Sequence, residues 1–286
     1  TMASESVAVE RPSITIEPSR GLADLRLDEV WAYRELLFFL VWRDLKARYR
    51  QTVLGTFWIV LQPLVSMLVF SFLFGNLLQV PSGDVPYPIF NYAALLPWNY
   101  FASSLRRTAT GVVNSRALIT KVYFPRLVIP ISGVLSGLVD FGIAFLVLIG
   151  LMVYFGIAPT AAVALLPAFV ALTALTALGV GLWLSALNVR YRDVQHIVPY
   201  LIQVWMYVTP VVYGSTLIPP RFRFLLGLNP MTGVVEGFRW ALLGNRLTDA
   251  QAPESLFVIS IGIALIVLVS GLFFFRHTER SFADVI

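Results

Sequence analysis

Six long apolar stretches alternate with short polar, basic or Pro/Gly-rich connections over residues 53–286. They run over about 53–78, 89–113, 128–155, 160–187, 195–213 and 255–275. Roughly 20 apolar residues carry an α-helix across a bilayer. The pattern therefore predicts an all-α membrane protein with six transmembrane helices. Residues 1–30 are polar and lack the apolar core of a signal peptide, so they are expected to form a cytoplasmic tail. Residues 31–52 differ again. The apolar run Leu36–Trp42 is too short to span and is followed at once by Arg43, Lys46, Arg48 and Arg50. That order suits an amphipathic helix lying in the inner membrane interface, or a positive flank that orients the first span.

Polar side chains inside the apolar stretches carry the next layer of information. In the fifth span Tyr200, Gln203 and Tyr207 are spaced three and four apart and share one helix face. Trp58, Gln62 and Ser66 repeat the pattern in the first. Such stripes fit either a helix lining a polar path or one hydrogen-bonded to a neighbour. The second span is dense in aromatics, with Tyr92, Trp98 and Tyr100 around Pro97, and is expected to break or kink there. Ser132, Gly133, Ser136 and Gly137 form a small-residue face on the third span. Asp140 follows one turn later with no other ionisable side chain inside the spans as drawn. Its expected role is structural, bonded to hydroxyls or backbone on a packed face; a proton relay normally needs a partner.

Two connections are also patterned. In NSRALITKVYFPRL (114–127), the residues Leu118, Ile119, Val122 and Tyr123 form an apolar stripe at helical spacing, and Phe124-Pro125 end it. Arg116, Lys121 and Arg126 place this helix in the cytoplasm, where its apolar face needs cover from the membrane domain, the lipid surface or a soluble partner. Residues 214–253 contain RFRFLLGL (221–228) and MTGVVEGFRWALLG (231–244), both too short to cross. Asn229 is the expected N-cap of the second, with Pro230 at its first position. Glu236 and Arg239 in its middle argue for a re-entrant or interfacial pair at the outer face.

Composition narrows the class. Of 286 residues 58% are hydrophobic and only 13% charged, and the mean hydropathy is +0.78. Soluble domains carry roughly twice that share of charge. The chain has no cysteine, which removes disulfides and Cys–Zn sites, and its two histidines stand apart from any carboxylate cluster, so no metal site is expected. No phosphate-binding GxxxxGK[ST] loop occurs. The net charge of +5 sits mainly in Lys/Arg clusters at 43–50, 106–126, 190–192 and 276–280. These all fall on one side of six spans, which puts both termini in the cytoplasm and reads as topology rather than as a nucleic-acid footprint.

The order of elements, with LGTFWIVLQPL (54–64), TKVYFPR (120–126), LNVRYRDV (187–194), TPVVY (209–213) and NPMTGVVEGFRWALLG (229–244), resembles the membrane subunit of an ABC-2 type exporter. The resemblance is greatest to permeases that export O-antigen-like polysaccharides, with teichoic-acid exporters next, and it covers nearly everything after residue 30. It implies a 53–286 transmembrane domain that pairs with a second copy of itself, in the inner membrane of a bacterium. It implies two separate ATPase subunits that bind the ATP and Mg, so the chain is a permease rather than an enzyme and holds no cofactor. It implies a lipid-linked polysaccharide as substrate. By the same resemblance 115–126 is the coupling helix that docks on the ATPase, through Leu118, Ile119, Lys121, Val122, Tyr123, Phe124 and Pro125. Residues 221–244, with Phe222, Phe224, Asn229, Pro230, Glu236 and Arg239, resemble the outer gate. Spans one and five resemble the pore-lining pair, so Trp58, Gln62, Tyr200, Gln203 and Tyr207 are expected to line the channel, with Tyr92, Trp98 and Tyr100 near its outer end. Other lipid or drug substrates fit the same fold. A proton-coupled transporter rests on Asp140 alone, and a membrane-embedded transferase lacks clustered carboxylates.

Overall fold

The computed structural model describes residues 27–49, 57–247, 254–279 and 282, and the polar segment 1–26 lies outside them. The described residues fold into helices and their connections, with no strand among them. The helices are α1 (Leu27–Ala32), α2 (Arg34–Tyr49), α3 (Phe57–Phe70), α4 (Tyr87–Asn114), α5 (Arg116–Ile119), α6 (Val128–Tyr154), α7 (Leu166–Arg190), α8 (Val194–Val208), α9 (Pro220–Gly227), α10 (Pro230–Leu243) and α11 (Glu254–Glu279). Four stretches are long and apolar enough to cross a membrane: Phe57–Leu77, Val128–Tyr154, Ala161–Arg190 and Phe257–Glu279.

α4 is the hub. It packs along α6 and α7 and also meets α3, α8 and α10, while α7 lies against α11. Ile89, Tyr92, Phe101, Leu105, Ala109 and Val112, at or near helical repeats, are all fully buried on it. Pro97 does not break it: the helix runs unbroken for 28 residues, because neighbours on several sides hold its backbone in place. Close approach depends on small residues. A Cβ on Gly179 would sit 2.8 Å from the Leu268 backbone, which brings α7 onto α11. Gly137 makes room on α6 for the Arg107 guanidinium and Ser104 of α4.

Three expected elements differ in extent. α3 continues past Phe70 as a π-helical segment, Ser71–Leu77, whose Gly75 lies against the Tyr87 ring. The fifth apolar stretch is helical only to Val208; at 15 residues, α8 is about 22 Å long. Thr209, Pro210, Val211 and Val212 continue it as buried, non-helical chain. The helix expected over 115–126 shrinks to the single turn of α5, after which Thr120–Tyr123 form an exposed turn. Phe124 and Pro125 are buried, with Phe124 packed in a cluster with Leu40, Val112 and Leu127. The periodic apolar stripe that favoured a longer helix is thus split. Val122 and Tyr123 are exposed, Leu118 and Ile119 half-buried, and Lys121 points to solvent.

The turn 120–127 is gripped from the C-terminal side. The Arg126 side chain donates to the Glu279 carbonyl, its backbone N–H donates to Glu279 Oε1 at 3.3 Å, and its guanidinium lies 5.6 Å from the Phe282 ring centre. Phe282 is itself buried against Phe275 of α11.

Candidate functional site

A cavity of about 630 Å³ opens between the end of α2 and helices α3, α4 and α6. Its polar wall is an ion cluster. Asp140 of α6 accepts from the Arg48 guanidinium and the Tyr49 hydroxyl, both in the last turn of α2, and from Arg107 Nη1 of α4 at 3.2 Å. Arg107 is fixed by further bonds, Nε to the Gly133 carbonyl at 2.9 Å and Nη2 to Ser103 Oγ at 3.0 Å. The expectation that Asp140 has no charged partner is therefore corrected. Arg107 lies well inside α4 because that helix continues to Asn114, and Arg48 reaches in from the last turn of α2. The expected hydroxyl partner is present as Tyr49. Burial first, and the Asp140 carboxylate second, push the Tyr49 pKa from 10.0 to about 12. The hydroxyl thus keeps its proton and remains a donor at physiological pH.

The remaining wall mixes aromatics and amides. Trp58 and Gln62 of α3, Tyr100 of α4 and Phe141 of α6 also line the cavity. Arg106 and Asn99 also line it, and neither side chain has a hydrogen bond or ion pair among the described residues. Tyr100 is nearly buried and its hydroxyl donates to the Val134 carbonyl at 3.5 Å, so it offers mainly ring surface. Tyr92 and Trp98 do not reach a surface. Tyr92 donates to the Ala144 carbonyl at 3.1 Å, and Trp98 packs on Phe101. Their aromatic density serves the core of α4, which no local pattern distinguishes from a lining.

The second stripe lies apart from the cavity. Val194, Val198 and Ile202 bury one face of α8, and Tyr200, Gln203 and Tyr207 form the opposite, exposed one. Tyr200 is 69% and Tyr207 56% exposed, so within one chain no neighbouring helix covers them.

The segment from 214 to 244 is tied to the ends of α4 and α8. Asn229 caps α10, its Oδ1 accepting from Met231 N at 3.0 Å and from Trp205 Nε1 at 2.9 Å, while its Nδ2 donates to Thr209 Oγ1 at 2.9 Å. Pro230 takes the first helical position. Arg239 is wholly buried. It donates to the carbonyls of Phe90 at 3.2 Å, Pro210 at 2.7 Å, Tyr213 at 2.9 Å and Val211, and lies 3.8 Å over the Phe90 ring. Glu236 accepts from Ser215 N at 3.1 Å and pairs with Arg239 at 3.4 Å. Phe222 and Phe224 on α9 are exposed.

Long apolar helices packed round α4 define a helical integral membrane protein. The chain belongs to the ABC-2 type transporter family, which matches residues 35–243. It is 36% identical over 261 residues to the O-antigen export system permease protein RfbA of Myxococcus xanthus, covering 90% of this chain and 98% of that one. A Klebsiella pneumoniae protein of the same name is 28% identical over 88% of this chain and 95% of its own length. The polysialic acid transport protein KpsM of Escherichia coli is 24% identical over 84% and 92%.

Proposed function

We propose that the chain is the membrane subunit of an ATP-driven exporter that carries a lipid-linked, O-antigen-like polysaccharide across the bacterial inner membrane. The observation that carries this reading is likeness to O-antigen permeases along nearly their whole length. In the reading, α3, α4, α6, α7, α8 with residues 209–213, and α11 are the six spans, and both termini are cytoplasmic. At 28 residues α4 is about 42 Å long, ample for a hydrocarbon core of about 30 Å. Two copies pair so that their exposed Tyr200–Gln203–Tyr207 faces, with Trp58 and Gln62, flank a common path. Rings of Tyr and Trp present flat faces to sugar C–H surfaces and polar tips at their edges. Many weak, interchangeable contacts of that kind let a long hydrated chain enter and leave. Two ATPase subunits, which hold ATP and Mg, dock on the exposed Val122–Tyr123 turn. α9 and α10 stand at the outer mouth.

Deleting the gene tests the reading. Surface polysaccharide should be lost and lipid-linked glycan should accumulate inside, with both restored by the intact gene. Normal surface polysaccharide in the deletion strain would overturn it.

A proton-coupled route through Asp140 is disfavoured by geometry: three donors already occupy its carboxylate.

A further inference from the structure

We propose that the C-terminal end of α11 is a clamp that presets the 120–127 turn for a soluble partner, with Arg126, Glu279 and Phe282 as positioning residues. The inference rests on the export reading above for the identity of that partner, the ATPase subunit. It goes beyond that reading in giving the end of α11 a part in the docking.

The turn cannot hold its own shape. α5 is four residues long, and a single helical turn does not persist alone, because nucleation costs more than its few hydrogen bonds return. The bonds that follow are local: Thr120 N donates to the Arg116 carbonyl at 3.1 Å and Val122 N to the Leu118 carbonyl at 3.0 Å. At the tip, Val122 is 50% and Tyr123 76% exposed. Two exposed apolar side chains make a docking surface when they are held in place, since a surface ordered in advance gives up less entropy on binding.

The holding comes from elsewhere in the chain. Arg126, three residues past Tyr123, is bound twice by Glu279, 153 positions away: its guanidinium donates to the Glu279 carbonyl and its backbone N–H to Glu279 Oε1. A helix leaves its last carbonyls without partners of its own and carries partial negative charge there, so a cation is a favourable cap for the end of α11. The other half of the clamp is braced in turn. The Glu279 carboxylate pairs with Arg276 at 3.1 Å, and Phe282, under the Arg126 guanidinium, is wholly buried with its ring 5.4 Å from that of Phe275. Phe124 and Phe282 belong to one apolar cluster with Leu40 of α2. Within 122–126, the first two side chains thus face outward while Phe124 and Arg126 are gripped from α2 and α11.

The test has two arms, both on the full chain in mild detergent. The chain has no cysteine, so Tyr123→Cys carries a single spin label, and Tyr154→Cys carries one at the far end of α6, about 40 Å along that helix. Arg126→Gln, Glu279→Ala and Phe282→Ala should each narrow the line of the label at 123 and leave the label at 154 unchanged. Glu279→Gln keeps the Oε1 acceptor and should leave both unchanged. In the second arm the unlabelled chain is titrated with the purified ATPase subunit that the wild type retains from its host. The same three variants should lower the affinity about tenfold, as the added cost of ordering two side chains on binding predicts, and Glu279→Gln should bind as the wild type does. An unchanged line at 123 in all three overturns the clamp. Equal narrowing at 123 and 154 overturns it too, by reducing these residues to general support of the fold. Narrowing at 123 with unchanged ATPase affinity overturns the docking role. A wild-type chain that retains no ATPase counts against the export reading instead, and the spectra then still decide whether α11 holds the turn.

Discussion

Arg239 shows what one buried cation can hold together. Its guanidinium joins the start of α4 to the non-helical chain after α8. Arg239→Met would leave the carbonyls of Pro210, Val211 and Tyr213 without that donor. Each buried group left unsatisfied costs about 1–3 kcal/mol, so a loss of about 3 kcal/mol or more is expected. The unfolding midpoint of the purified variant checks it. Arg239→Lys should recover only part, since an ammonium cannot span the same set of acceptors. Tyr49 makes a different prediction. Its folded pKa lies above the unfolded 10.0, so its contribution is complete below pH about 10 and is lost as the pH climbs toward 12. Tyr49→Phe should lower the unfolding temperature by the same amount at pH about 7 and about 9. A difference that shrinks steadily across that range would contradict the assignment.

At the scale of the element, the 120–127 turn and the α8 face give separable tests. Phe124 is core, so Phe124→Ala should destabilise the fold by about 3–5 kcal/mol and reduce the amount of protein. Val122→Asp and Tyr123→Asp change exposed side chains and should leave the fold intact while abolishing co-purification of the ATPase. Leu at Tyr200, Gln203 and Tyr207 together should reduce glycan export at normal protein levels, measured as surface polysaccharide. The α8 stripe was legible because three residues on a 3.6-residue period need only one helix to be read. The N-cap at Asn229 was legible for the same reason: cap, proline and apolar run are neighbours in sequence. The turn at 120–127 was not. Its apolar stripe obeys a period that the chain abandons after one turn, when Arg126 and Phe124 are drawn into contacts with Glu279, Leu40 and Val112. The burial of Tyr92 and Trp98 was equally hidden, since an aromatic facing a neighbouring helix and one facing a pore look alike in sequence.

For the whole molecule, helix existence was readable and partnership was not. Four of the six apolar stretches stand out by length and hydropathy alone. The cluster at Asp140 joins residues 92 and 33 positions apart, and its arginines had the sequence signature of ordinary cytoplasmic flanks. Their separation also has a consequence for how the protein is made. Arg107 leaves the ribosome 33 residues before Asp140 does. An arginine at the centre of a lone helix costs about 2.5–3.5 kcal/mol on insertion scales, and Arg107, nearer the end of α4, costs less but still opposes insertion. If α4 is a span, as the proposed function has it, it would enter the bilayer more readily once α6 arrives to neutralise Arg107, and the two helices would insert as a hairpin. Asp140→Ala should then act on biogenesis before it acts on transport. A reporter inserted after residue 114 of the full-length chain should be mislocalised in the variant but not in the wild type, and restoring the carboxylate as Asp140→Glu should correct it.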